Sequence, residues 1–403
     1  MMKIFKKSVL KKTFHFLLIT LFLNSCSTSR KIELAKKGNV ENKEYVTEIP
    51  FKYINNHIFI DVNINNKTYN FLFDTGAEFN VIDEEIVNEF QYKTISEVKA
   101  SGNSFSTQKV KLIEIPKISL SNVDFLNTGA IIQNIPIKKH YGCFEVNGLI
   151  GNNLMRKANW QIDYKNKVIR ITDDLKRIKI SEKAIPIKMN AKITGNIYFD
   201  VGINGVFSKF TFDTGSNWKI TTSSKKFQSF QDKSKKLEFL KLGNEYEFIA
   251  DVVSLDKINI EKQIITLENG NHSLLGNRFF ENYTLTIDWK KDIVFFDPVN
   301  EIKEDKLSSF QLSLSLNYKE NSIVVNNSWT EYKLDFEIEN GTKVSAINKI
   351  DVSKFNKQEL CDFWENKRKE IFNKQNIEIE FLDKSGIKKV TLTKKQLLPK
   401  LIP

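Results

Sequence analysis

One stretch of this sequence occurs twice. Residues 57–77 align without a gap on residues 196–216, and ten of the 21 pairs are identical. They are Ile58/Ile197, Asp61/Asp200, Val62/Val201, Ile64/Ile203, Asn65/Asn204, Phe71/Phe210, Phe73/Phe212 and a closing triplet, Asp74-Thr75-Gly76 against Asp213-Thr214-Gly215. A second pair of segments follows in the same order. Residues 149–165 align on 274–290 with six of 17 pairs identical, among them Gly151/Gly276, Asn152/Asn277 and Asp163/Asp288. The chain therefore reads as a duplicated element of roughly 125 residues, which restricts the fold to two like units built on one plan.

The local patterns around these landmarks are those of strands. Ile58-Phe59-Ile60-Asp61-Val62-Asn63-Ile64 is apolar and β-branched, Asn65-Asn66 is a turn signal, and Tyr69-Asn70-Phe71-Leu72-Phe73 returns as a second strand. The other copy repeats this with Asn204-Gly205 as the turn. Each Asp-Thr-Gly thus sits just past a buried strand, where the chain turns. Glycine permits that tight turn, and the threonine hydroxyl can bond backbone across it. Each copy then carries an apolar-apolar-Gly segment, Leu149-Ile150-Gly151 and Leu274-Leu275-Gly276.

As a set, these motifs resemble those of the pepsin and retropepsin superfamily of aspartic peptidases. Phe-Leu-Phe-Asp-Thr-Gly-Ala at 71–77 is similar to the retroviral form, and Phe-Thr-Phe-Asp-Thr-Gly-Ser at 210–216 to the pepsin form. Leu274-Leu275-Gly276-Asn277-Arg278-Phe279-Phe280 is similar to the C-terminal signature of pepsins, and the resemblance covers about residues 50–298. It implies two lobes meeting at a cleft, each supplying one catalytic carboxylate, Asp74 and Asp213. It implies that Thr75 and Thr214 bond across the lobe interface and that Gly76 and Gly215 let backbone amides approach the carboxylates. Ile150-Gly151 and Leu275-Gly276 are implied as structural support behind the loops. Two carboxylates roughly 3 Å apart cannot both ionise cheaply, so such a pair shares a proton. One member acts as general base on water and the other as general acid, with no cofactor and no metal. Pepsins also carry a flap hairpin, often with a Tyr. Residues 95–120 are the matching hairpin here, with Ser101-Gly102-Asn103 at its tip, but no Tyr lies there. Each lobe is smaller than a pepsin lobe and nearer to one of two fused retropepsin subunits.

Composition bounds the remaining classes. At 403 residues the chain is too long for one core, and 41% hydrophobic with 31 Phe it is globular rather than disordered. The formal charge of +12 is mostly scattered Lys, not the basic stripe of a nucleic-acid reader. Four His show no ligand spacing, and three Cys (Cys26, Cys143, Cys361) show neither metal spacing nor a disulfide framework. Cys143 and Cys361 are expected as buried free thiols, with one bridge between them as the alternative.

The N-terminus has the layout of a signal peptide. Five Lys precede an apolar run, Phe14 to Leu23, that is too short to span a membrane. Leu23-Asn24-Ser25-Cys26 resembles the lipobox of bacterial lipoproteins, which implies lipidation at Cys26 and a membrane anchor. Ser27 after the Cys points to the outer rather than the inner membrane. Residues 27–44 then read as a polar tether.

After Pro298 a charged stretch leads into a region that reads strand, strand, helix, strand. Gly341 to Val352 resembles a PDZ segment in which a Gly turn enters an apolar strand. Asn356 to Ile371 reads as a helix with Leu360, Phe363 and Trp364 on one face. PDZ domains bind peptide C-termini by strand addition, but the usual Gly-rich carboxylate loop is not evident.

The expected fold is mainly β: two pseudo-symmetric retropepsin-like β-barrel lobes with the site at their interface, plus a small α+β PDZ-like domain. The expected divisions are signal peptide 1–25, tether 26–45, lobes 46–175 and 183–299, and PDZ-like domain 310–400. The expected function is a membrane-anchored, monomeric aspartic endopeptidase of the bacterial cell envelope acting on protein or peptide substrate. The alternative is an inactive lipoprotein that binds peptides through the cleft or the PDZ-like domain.

Overall fold

The computed structural model describes residues 29–102, 105–135, 143–191, 193–223, 238–242, 245–268, 271–305, 308–310, 312–317, 319–328, 338–383, 386–396 and 400–401. The signal-peptide and lipobox expectations, including Cys26, lie outside them, as do Asn103 at the tip of the expected flap and the linking residues 306–307. Among the described residues no helix is long and apolar enough to cross a membrane.

The chain is mainly β. Its unit of construction is the hairpin foreseen at each Asp-Thr-Gly. His57–Ile64 pairs antiparallel with Lys67–Phe73, from Phe59↔Leu72 to Ile64↔Lys67. Asn65 and Asn66 connect them at φ 53° and 63°, the left-handed pair that matches the twist of a hairpin. Ile197–Ile203 and Val206–Phe212 pair in the same manner, with Asn204 at φ 49° and Gly205 at φ 81°. The inward residues Ile58, Ile60, Val62, Phe71 and Phe73 are all buried, as are Ile197, Phe199, Val201, Phe210 and Phe212. Burying each such side chain is worth about 1.5–3 kcal/mol.

The strand ending at Phe73 lies parallel to Gly148–Ile150, Phe73 opposite Ile150. The strand ending at Phe212 lies parallel to Leu274–Leu275, Phe212 opposite Leu275. The two halves are stitched by backbone. Asn159–Asp163 pairs antiparallel with Tyr283–Asp288, Trp160 opposite Ile287 and Ile162 opposite Leu285. A 14-stranded sheet therefore holds strands from both halves, and a 9-stranded sheet completes the second half. One hydrophobic core runs from Tyr45 to Phe296 through both, with Trp160 stacked on Phe125 and tilted against Phe73.

The expected hairpin over 95–120 is present as Lys93–Gly102 against Phe105–Leu120, antiparallel from Lys93↔Glu114 to Gly102↔Phe105.

The C-terminal residues form a separate six-stranded sheet and their own core. Lys343–Ile347, Asn376–Asp383 and Gly386–Thr393 are adjacent strands. The helical stretch begins at Lys357 and ends at Phe372, with a π-turn over Phe363–Lys367. Asn356 caps it, its side chain accepting from the Glu359 N–H while Glu359 accepts from the Asn356 N–H. Leu360, Phe363 and Trp364 are buried.

The expectation of two free thiols is corrected. Cys143 and Cys361 form a disulfide with Cα atoms 5.3 Å apart and 218 residues between them in sequence. It ties the segment ahead of Gly148 to the C-terminal helix. Neither residue carries a local spacing signal, so only the packing of the two regions brings them together. Beside the disulfide, Arg368 Nη2 donates to Asn55 Oδ1 at 3.0 Å.

Candidate active site

The two Asp-Thr-Gly loops meet where the halves join. Each loop leaves its strand through a parallel pairing, so the Asp74 N–H donates to Ile150 O and the Asp213 N–H to Leu275 O, both at 3.0 Å. This sets each carboxyl at the end of a buried strand, one in each sheet.

The threonines lock the loops together. The Thr75 N–H donates to Thr214 Oγ1 at 3.0 Å and the Thr214 N–H to Thr75 Oγ1 at 2.9 Å. Each hydroxyl then donates onward to the other half, Thr75 Oγ1 to Phe212 O at 2.8 Å and Thr214 Oγ1 to Phe73 O at 2.7 Å. Both threonines are fully buried, and every donor and acceptor in the square is satisfied, as a dry interface requires.

Behind the loops, the Gly151 N–H donates to Asn80 Oδ1 at 2.9 Å and the Gly276 N–H to Lys219 O at 3.0 Å. Two further residues hold the loops and were seen in the sequence only as repeat identities. Asn152 Nδ2 donates to Thr75 O and Ala77 O. Asn277 Nδ2 donates to Thr214 O at 2.6 Å and to Asn56 O at 2.8 Å. Their identity across the two copies was the available signal.

The glycines bring backbone against carboxylate. A Cβ on Gly76 would stand 2.4 Å from Asp213 Oδ1, and one on Gly215 would stand 2.4 Å from Asp74 Oδ1. Each glycine therefore abuts the carboxyl of the opposite loop. Asp74 Oδ1 accepts from the Gly76 N–H at 2.8 Å and the Ala77 N–H at 3.1 Å. Asp213 Oδ1 accepts from the Gly215 N–H at 2.9 Å. Each carboxyl therefore lies at the opposite loop, close enough that the two perturb one another's titration, and carboxyls so crowded share one proton. Residues 139 positions apart have become immediate neighbours.

Residues 60–154 match the family of aspartyl proteases. They form an aspartyl protease-like domain. The matched span includes Asp74, Thr75, Gly76, Ile150 and Gly151, whereas Asp213 and its loop lie beyond it. No curated protein matches the chain.

The electrostatics of the aspartyl protease-like site follow from enclosure and crowding. Burial raises the Asp74 carboxyl above the usual carboxylate range, against the lowering effect of the N–H groups of Gly76, Ala77 and Gly215 and of the Asp213 bond. Asp213 is raised further, first by burial and then by the charge of Asp74. Both residues still keep part of their surface open. Both carboxyls are thus raised, and the pair, rather than either residue alone, holds on to a proton. Neither carboxyl lines the surface concavities around Asn190, Tyr198 and His272 or around Tyr45, Arg156 and Trp289.

Proposed function

We propose that this protein is an aspartic endopeptidase in which Asp74 and Asp213 activate one water molecule. The observation that carries the reading is the meeting of the two Asp-Thr-Gly loops, each carboxyl against the glycine of the other loop, with both carboxyls raised. Ionised Asp74 takes a proton from the water as it attacks the scissile carbonyl carbon. Protonated Asp213 donates to the carbonyl oxygen as charge develops there. The tetrahedral adduct then collapses, the C–N bond breaks, and the leaving nitrogen takes the proton held by Asp74. The shared proton is restored on the pair, so nothing but water and peptide is consumed.

The two halves are read as copies of one retropepsin-like lobe related by a pseudo-twofold axis through the Thr75–Thr214 square. The hairpin Lys93–Gly102/Phe105–Leu120 is read as the flap that closes over substrate. The C-terminal unit is read as PDZ-like, taking a peptide carboxy-terminus by strand addition. The chain acts as a monomer held at the bacterial envelope, in the outer membrane, by lipid on Cys26.

The test is cleavage of a denatured protein substrate from acidic to neutral pH, with and without pepstatin. Wild type cleaves and is blocked; Asp74→Asn and Asp213→Asn each lose activity by at least about 10³-fold while remaining folded. Cleavage that persists in either variant refutes the reading. For the anchor, Cys26→Ser moves the protein from the membrane fraction to the soluble one.

A further inference from the structure

Two residues outside the Asp-Thr-Gly triplets reach across the join between the halves and take hold of an active-site glycine. His57 Nε2 lies 2.9 Å from Gly215 O. Asn196 Nδ2 donates to Gly76 O at 2.8 Å. Positions 57 and 196 are the first pair of the 139-residue alignment. Both side chains are buried, at 5% and 7% exposure, so neither contact is a surface accident.

The glycine carbonyls are not idle atoms. Gly215 C=O shares one planar peptide unit with the Ser216 N–H, and Gly76 C=O shares one with the Ala77 N–H. The Ser216 N–H turns back on its own loop, donating to Asp213 O at 3.2 Å, and the Ala77 N–H donates to Asp74 Oδ1. A donor gripping the carbonyl end of such a unit fixes the unit in the aspartate's loop and polarises its N–H, which strengthens the second bond.

The two copies use different donors for the same grip. Asn196 brings a neutral amide whose Nδ2 has no charge to lose. His57 stands between two carbonyl oxygens, Gly215 O at Nε2 and Asn55 O at Nδ1, the latter at 3.1 Å. Carbonyls only accept, and a neutral imidazole donates from one nitrogen alone. Only the imidazolium satisfies both. Asn55 is itself held from the C-terminal helix by Arg368.

We propose that His57 is a positioning residue for the dyad: as an imidazolium it bridges Asn55 O and Gly215 O and fixes the Gly215–Ser216 peptide of the loop that carries Asp213, so that the site is held correctly only while His57 keeps its second proton. Of the charged groups near it, Asp74 and Asp213 lie beyond Gly215. Glu281 and Arg278 lie beyond Tyr53, and Glu365 and Arg368 beyond Asn55. The inference rests on the peptidase reading for its activity readout, so the test includes one that does not.

The first arm is the pH profile of kcat/KM for wild type, His57→Asn and His57→Ala. His57→Asn imitates the donor of the other half. It keeps activity within about threefold at acidic pH and extends the profile to higher pH, because its donor does not titrate. His57→Ala loses about 10- to 100-fold throughout, chiefly in kcat. A His57→Asn profile that superimposes on wild type overturns the proposal. The second arm needs no catalysis. In an Asp74→Asn/Asp213→Asn background, nitrogen-15 NMR of the His57 ring shows both nitrogens protonated at about pH 5, and the thermal advantage of His57 over His57→Ala shrinks between about pH 5 and pH 8. A ring that carries a single proton at about pH 5 overturns the proposal even if the peptidase reading stands. If no variant cleaves anything but the second arm holds, the peptidase reading has failed and the positioning role has not.

Discussion

Asp74 and Asp213 differ in what the surrounding backbone offers them, and the difference sets two expectations at the residue scale. Asp74 receives N–H groups from Gly76, Ala77 and Gly215, while Asp213 carries the heavier cost of facing another anion. Activity requires the singly protonated pair. Because both carboxyls are raised, the window of activity expected of a peptidase lies at higher pH than two ordinary carboxylates would set, and its alkaline limb reflects loss of the pair's last proton. A pH–rate profile whose limbs both fall in the ordinary carboxylate range contradicts this. The same shift has a stability consequence. In the unfolded chain Asp213 ionises in the ordinary range, about pH 4. In the fold it holds its proton to higher pH, so the contribution is full in acid and is lost as pH rises through the folded titration. Asp213→Asn, which cannot ionise, therefore melts at higher temperature than wild type at neutral pH, and the gap closes in acid. Calorimetry at the two pH values checks the direction.

At the scale of elements, the site is a joint between two strand ends rather than a pocket in one domain. Thr75→Val removes the acceptor of the Thr214 N–H and the donor to Phe212 O. It leaves two buried groups unpaired, which costs about 2–4 kcal/mol, whereas Thr75→Ser keeps both bonds and costs much less. Thr75→Val and Thr214→Val are not additive, because each already breaks bonds belonging to the other; a double-mutant cycle returns a coupling of about 1 kcal/mol or more. Additive losses show that the square does not act as one unit. Gly76→Ala drives a methyl into the Asp213 carboxyl at 2.4 Å, and is expected to abolish cleavage with a smaller effect on the melting temperature.

At the scale of the molecule, the Cys143–Cys361 disulfide fastens the C-terminal unit to the segment ahead of Gly148, and the Arg368–Asn55 bond fastens it to the turn ahead of His57. The C-terminal strand Lys400–Leu401 also pairs with Glu238–Phe239 in the 9-stranded sheet. A cross-link closing so long a loop removes much entropy from the unfolded chain. The double variant Cys143→Ser/Cys361→Ser is expected to lose about 2–5 kcal/mol. Denaturant melts with and without reductant measure it, and identical curves show that the bond adds nothing.

The hairpins, including the one over 95–120, the two triplets and the C-terminal helix were legible in the sequence, because each is specified by neighbours along the chain. Alternation marks a strand, Asn-Asn or Asn-Gly its turn, and Asn356 with Glu359 a helix start. The duplication went further and singled out both aspartates, since a repeated motif signals a repeated environment. What tertiary structure alone decided were the contacts between distant segments. The Cys143–Cys361 bridge, the pairing of Trp160 with Ile287, and the grip of His57 on Gly215 join positions separated by 218, 127 and 158 residues. None has a local signature, because its energy comes from surfaces that meet only after both halves have folded. The proton shared by Asp74 and Asp213 is of the same kind: composition supplies the carboxyls, but only their enclosure side by side makes one of them hold its hydrogen.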